Sequence, residues 1–137
     1  MVEKYYIDTA IWRDFYEGRC EGFKPLGLWA FEFFRKVIEE KGILLYSDII
    51  EKELLIFLEK KMIGDLLNSI SEFIQKVETK PEQVKEAYHL ARMLRIPFAD
   101  ALHSILARDN NAVIITRDRH FDLLRSIVDV KKPEELI

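Results

Sequence analysis

Four acidic side chains, Asp8, Glu53, Asp100 and Asp118, occupy positions from which carboxylates can work together. Asp8 closes the run KYYID (Lys4 to Asp8), and Asp118 follows the all-apolar run Ala112 to Ile115, so each is expected just past the carboxyl end of a strand. Asp100 falls in the first turn after Pro97, a residue suited to a helix start. Glu53 follows Ser47 amid Ile49, Ile50, Leu54, Phe57 and Leu58, near the border of a polar and an apolar helix face, from which it can point into a cleft. In open α/β sheets ligands bind beyond the carboxyl ends of the strands, so the four acids are expected on one edge. Carboxylates crowded in a partly buried cleft repel each other and lose solvent, which raises their pKa values unless a cation compensates. Oxygen donors suit Mg²⁺ or Mn²⁺, whereas zinc sites prefer Cys and His. One such ion, or two about 3.5–4 Å apart, activates water and neutralises charge developing on a phosphate, so metal-dependent phosphodiester hydrolysis is the reaction class expected.

Each acid also has a structural reading. Asp8 can cap a helix beginning at Thr9, and Asp118 one beginning at Arg119; Asp100 can simply favour a helix N-terminus, and Glu53 can be an edge glutamate. Asp14, Asp48, Glu51 and Asp109 are weaker candidates, and Asp122 is a candidate to support a metal at one remove.

The elements that must position these residues alternate between strand and helix. After the first strand comes the helix-like TAIWRDFYE, then loop signals from Gly18 to Gly27. Pro25 starts a helix over Leu26 to Lys41 with a core stripe of Trp29, Phe33, Val37 and Phe34, and Gly42 ends it before a strand at Ile43 to Tyr46. Ser47 is the expected N-cap of the next helix, with Asp48 and Glu51 in its early turns. Further helices are expected over Met62 to Phe73 and from Pro81 through Val84, Tyr88, Ala91 and Leu94, with a candidate strand at Ile74 to Glu78 between them. In the helix after Pro97, Asp100 shares a face with the small Ser104 and Ala107, beside an apolar stripe of Leu102, Ile105 and Leu106. Asn110-Asn111 breaks that helix before the strand Ala112 to Ile115, and a short helix (Arg119 to Ser126) and a last strand (Ile127 to Val130) follow. This alternation predicts an α/β fold of three layers, with a central parallel sheet of about five strands between helices.

Composition narrows the class. The 137 residues, 49% hydrophobic and 33% charged, suit one globular domain with a real core. The lone Cys20 cannot form an intramolecular disulfide and lacks the neighbours of a thiolate or zinc site, so a reducing, cytoplasmic setting is expected. No apolar run approaches the roughly 20 residues of a membrane span. A net charge of −3 argues against coating nucleic acid by bulk electrostatics. Between Arg92 and Lys132, however, eight Lys/Arg face five Asp, a locally basic segment that suits solvated faces better than a binding surface.

The set YYIDT (Tyr5 to Thr9), SDIIEKEL (Ser47 to Leu54), FADALHSILA (Phe98 to Ala107) and ITRDRHF (Ile115 to Phe121) resembles the PIN domain, in particular the short VapC-like ribonuclease toxins. The match spans nearly the whole chain in order and spacing, so residues 1–137 read as a single PIN domain. The resemblance implies that Asp8, Glu53, Asp100 and Asp118 are the acidic metal-binding quartet, supported by Thr9 and Thr116, and that the fold is a parallel sheet between helices. It further implies Mg²⁺- or Mn²⁺-dependent cleavage of RNA, frequent homodimers and, for toxins of type II pairs, an antitoxin partner that blocks the site. Arg13, Arg117 and Arg119 are candidates for RNA phosphates, since arginine binds them bidentately. His103 is expected at the surface or helix edge rather than as a general base, and neither it nor His120 belongs to the quartet. The loop-rich stretch Glu17 to Leu28 and the region Leu66 to Thr79 match no signature.

Other readings remain open. A housekeeping nuclease acting on RNA precursors would share the site, and an inactive interaction module would keep the fold. A phosphoacceptor receiver needs paired acids near the first strand and a haloacid-type phosphotransferase needs Asp-x-Asp there; Thr9-Ala10 follows Asp8 instead.

Overall fold

A computed structural model describes residues 2–137. Five parallel strands form one sheet in the order β3-β2-β1-β4-β5, with β1 (Lys4–Ile7) at its centre. It pairs with β2 (Ile43–Ser47), Tyr5 opposite Leu44, and with β4 (Val113–Ile115), Tyr6 opposite Ile114. The edges are β3 (Ile74–Val77) and the short β5 (Val130–Lys131).

Parallel strands need crossovers, and the connecting helices cover both faces. These are α1 (Thr9–Glu17), α2 (Leu26–Glu39), α3 (Asp48–Phe57), α4 (Lys60–Ser69), α5 (Pro81–Leu94) and α6 (Phe98–Asp109). Side chains alternate across a strand, and β1 shows the layering directly. Tyr5 meets Phe33 of α2 edge-on at 5.3 Å, whereas its neighbour Tyr6 meets His103 of α6 at 5.6 Å. Thus α2, with α1 packed on it through Trp12 and Phe34, lies on one face, and α6, with α5 packed on it, lies on the other. The three-layer architecture expected from the alternation of elements is the one observed.

Gly27 makes the α1–α2 packing possible: a Cβ there would sit 2.6 Å from the Asp14 carbonyl oxygen and 2.8 Å from Gly18 Cα. Gly18 itself ends α1 in the left-handed region, at φ 59°, where a side chain would be strained. No helix among the described residues is long and apolar enough to cross a membrane.

Several local expectations shift. Helix α4 ends at Ser69, and a separate 3-10 turn (Ser71–Phe73) follows, because Ile70 leaves helical geometry at φ −126°. The segment after β4 is a 3-10 helix, Arg119–Leu124. The last strand starts at Val130, because the N–H groups of Ile127 and Val128 are taken by the Leu124 carbonyl at the end of that turn. Helix α5 buries Gln83, Ala87, Leu90 and Ala91, and Tyr88 stays exposed, its ring stacked on Phe98 at 4.2 Å. The alanines allow the close approach to α6 that a tyrosine would block. On α2, Phe34 is in the core and Trp29 is only half-buried. Helix α6 carries more than a stripe, for every residue from Ala101 to Ala107 is buried.

Candidate active site

The four acids converge on the carboxyl edge of the sheet. Asp8 continues β1 by one residue, its N–H donating to the Ile115 carbonyl at 3.0 Å and so joining the ends of β1 and β4. Its carboxylate caps α1, accepting from the Thr9 N–H at 2.9 Å. The Thr116 hydroxyl donates to Asp8 Oδ2 at 2.8 Å and accepts from the Asp118 N–H at 3.1 Å, so one buried hydroxyl ties two acids from different strands. Asp118 in turn accepts from the His120 N–H at 2.9 Å and caps the 3-10 helix. For Asp8 and Asp118, capping and clustering therefore hold together rather than compete. Asp100 projects from the first turn of α6, where the helix dipole favours an anion. Glu53 lies on α3, whose start is fixed by the Ser47 hydroxyl accepting from the Ile50 N–H at 3.2 Å.

Asp8, Thr9, Glu53, Asp100 and Asp118 line one open cleft of about 360 Å³, together with Arg13, Phe57 and His103. Glu53 is held there from two sides: Thr9 Oγ1 donates to its Oε1 at 2.6 Å, and His103 Nε2 lies 2.9 Å from the same oxygen. A carboxylate only accepts, so Nε2 is the donor. Both bonds fall on Oε1 and leave Oε2 without a protein partner among the described residues.

His103 is not at the surface. It is 1% exposed, and its Nδ1 lies 2.7 Å from the Tyr6 hydroxyl, which lies 2.7 Å from Ser47 Oγ. A buried polar chain thus runs from Glu53 through His103 and Tyr6 to the N-cap of α3. The local pattern of an apolar helix face carries no trace of this burial, because Glu53 and Tyr6 arrive beside His103 from other elements.

Electrostatics bind the acids into one unit. Burial pushes Asp8 up; the positive charge of His103 and the hydrogen bonds from Thr116 and Thr9 oppose this, and the charge of Glu53 adds to it. Asp100 rises to about 6 through burial and the charges of Asp118 and Asp8, in spite of His120. Burial also pushes Glu53 up, but His103 and the Thr9 hydroxyl outweigh it and the net shift is down. For His103, burial disfavours the charged form, yet the hydrogen bond to Glu53 and the charges of Glu53, Asp8 and Asp100 raise its pKa.

Oxygen donors at this density fit a divalent cation. Asp100, Asp118 and His120 each present a ligand atom, all within 4.8 Å of one another, and the unrelieved repulsion on Asp100 is what a cation would remove. His120 Nδ1 lies 2.9 Å from Asp100 Oδ2 and 3.1 Å from Asp118 Oδ1, a proximity that the 20-residue gap between His120 and Asp100 conceals.

The remaining candidates divide. Arg13 sits at the mouth of the cleft with its guanidinium 3.6 Å from the centre of the Phe57 ring; its Nη2 lies 3.4 Å from Glu17, and its Nε has no partner among the described residues. Arg117 bridges the buried Asp14 of α1, at 3.4 Å, and Glu134, at 2.7 Å, and so ties the chain beyond β4 to α1; it is not among the residues that line the cleft. Asp122 is paired with Arg125 at 3.1 Å on the exposed side of the 3-10 turn and is not among the residues that line the cleft. Arg119 is exposed beside a neighbouring basic pocket of about 260 Å³ that also holds Lys131 and Lys132.

Comparison with known proteins gives the family. Similar solved structures include a toxin-antitoxin complex from Klebsiella pneumoniae (17% identity, TM-score 0.68, 94% of this chain and 97% of that one). VapBC2 from Rickettsia felis bound to a DNA fragment from their promoter is also similar (12%, 0.64, 94% and 98%), as is FitAcB from Neisseria gonorrhoeae (16%, 0.60, 94% and 97%). No sequence match to a curated protein was found. The family model of the PIN domain matches residues 5–126, which takes in most of β1, the whole acid cluster and the helices between, and the chain belongs to the PIN-domain family.

Proposed function

We propose that this protein is a divalent-metal-dependent endoribonuclease that hydrolyses RNA phosphodiester bonds, and that it is the toxin of a type II toxin-antitoxin pair acting in the cytoplasm. The observation that carries the chemistry is the convergence of Asp8, Glu53, Asp100 and Asp118 on one open cleft in a PIN-family chain. The toxin reading is supported by the similar structure described as a toxin-antitoxin complex. It is also supported by the exposed apolar side chains Ile56 and Phe57 at the rim of the cleft, a surface suited to an antitoxin chain. A homodimer is expected from the same kinship.

The four carboxylates would hold Mg²⁺ or Mn²⁺. Such an ion, when bound, supplies Lewis-acid polarisation of the scissile phosphate and a more acidic attacking water. The chain's own residues do the positioning. Thr116 sets the relative placement of Asp8 and Asp118, and Thr9 and His103 hold Glu53 by one oxygen and leave the other without a protein partner among the described residues. Arg13, placed over the Phe57 ring, offers a cation beside an aromatic side chain at the entrance, a combination suited to a phosphate and an unstacked base.

The test is cleavage of an RNA panel with Mg²⁺, with Mn²⁺ or with chelator, using wild type, Asp8→Asn and Asp100→Asn. Cleavage that needs the metal and is abolished in both variants supports the reading. Wild-type rates in Asp100→Asn, or cleavage undiminished by chelator, overturn it. Asp100 is the cleaner probe, since among the described residues its side chain bonds only to His120, whereas Asp8 also caps α1.

A further inference from the structure

We propose that His120 is a nitrogen ligand of the cation held by Asp100 and Asp118, so that the site is a mixed nitrogen and oxygen set that favours Mn²⁺ over Mg²⁺. This rests on the reading of the cleft as a metal site.

Of the three histidines in the chain, only His120 is available for this. Both ring nitrogens of His103 are occupied, by Glu53 and by Tyr6, within the core. His89 is exposed on α5, away from the residues lining the cleft. His120 turns Nδ1 to the two carboxylates, at 2.9 and 3.1 Å, so without an ion that nitrogen is the donor; a cation bound at Nδ1 takes the place of this proton, which leaves to solvent or to Nε2, a nitrogen with no hydrogen bond among the described residues. The approach is built into the backbone. Asp118 fixes the start of the 3-10 turn by accepting from the His120 N–H, and the next residue, Phe121, is fully buried and anchors the turn from the other side. The ring is thereby folded back over the acids, not carried out into solvent on a free loop.

The three ligand atoms lie within 4.8 Å of one another, a separation that a single ion with bonds of ~2.1 Å spans with small side-chain adjustments. The ring is 51% exposed and the Asp118 side chain 41% exposed, so an ion reaches them without any opening of the core. Mg²⁺ takes oxygen ligands and gains little from an imidazole; later first-row divalent ions bind nitrogen progressively better, and Mn²⁺ accepts both. A histidine added to an oxygen set therefore changes which metal is bound, and not only how tightly.

The competing role for His120 is that of a counter-charge, which a cation would displace. The two roles predict opposite signs. Mn²⁺ binding to the full chain is measured by calorimetric titration, and nitrogen coupling to bound Mn²⁺ by pulsed electron paramagnetic resonance, for wild type, His120→Ala, His120→Gln and Asp100→Asn. The expected result is a ring-nitrogen coupling in wild type that is lost in both His120 variants, with Mn²⁺ affinity falling about ten-fold or more and Mg²⁺ affinity changing far less. Bound Mn²⁺ that is lost in Asp100→Asn but shows no nitrogen coupling overturns this proposal alone, as does Mn²⁺ affinity that is unchanged or tighter in His120→Ala. If wild type binds no Mn²⁺, this proposal and the metal reading of the cleft fall together.

Discussion

Asp100→Asn in the metal-free protein is expected to stabilise the fold at neutral pH. The Asp100 side chain is 14% exposed, and burial with the charges of Asp118 and Asp8 lifts its pKa from 3.8 to about 6. A shift of about two units at ~1.4 kcal/mol each gives a ceiling of ~3 kcal/mol of destabilisation from keeping this carboxylate charged. Solvent screening in an open cleft reduces this to about 1–2 kcal/mol. The isosteric amide removes the charge, which corresponds to a rise in Tm of roughly 3–6 °C for a domain of this size. The sign with pH follows from the raised folded pKa. The penalty is full above pH ~6, shrinks as pH falls toward the unfolded value, and is absent below about pH 4, where both states are protonated. Wild type and variant should therefore converge in acid. Thermal unfolding followed by circular dichroism across this range, in chelator and then with saturating Mn²⁺, reads all of it. Metal at ~100 times its dissociation constant should add about 2.7 kcal/mol to wild type and much less to the variant. A variant no more stable than wild type in chelator at neutral pH would refute the idea that the acids are held together against their own repulsion.

Other substitutions probe the supports. Thr116→Val removes the hydroxyl joining Asp8 and Asp118; a loss of about 1–3 kcal/mol by denaturant titration is expected, with weaker Mn²⁺ binding. Tyr6→Phe leaves His103 Nδ1 without its partner in the core, so a similar loss of about 1–3 kcal/mol is expected, and a double-mutant cycle with His103→Leu should show strong non-additivity. Gly27→Ala drives a methyl group into backbone at 2.6 Å and should destabilise by about 1–3 kcal/mol, with catalysis per folded molecule unchanged. Arg13→Ala together with Phe57→Ala should weaken RNA binding by Asp100→Asn protein and reduce its salt dependence by about one charge, whereas Arg117→Ala should lower stability more than RNA affinity.

Much of this protein is written locally. The alternation of short apolar runs with Pro- and Ser-started helices specifies a parallel α/β sheet, because hydrophobic period and capping chemistry act over a few residues. The acids at the ends of β1 and β4 were legible for the same reason, since parallel strands all end on one edge, and Asp100 because a helix that leads back into a parallel strand, as α6 leads into β4, starts near that same edge. Tertiary structure decided who meets whom across that edge. His103 looked like a polar residue on a helix, and only the arrival of Glu53 from α3 and Tyr6 from β1 makes it a buried strut. Arg117 looked free, and only the packing of α1 against the chain beyond β4 commits it to Asp14. Hydrogen bonds and ion pairs between residues distant in sequence leave no periodic trace, since their cost and gain arise when burial removes water from both partners at once.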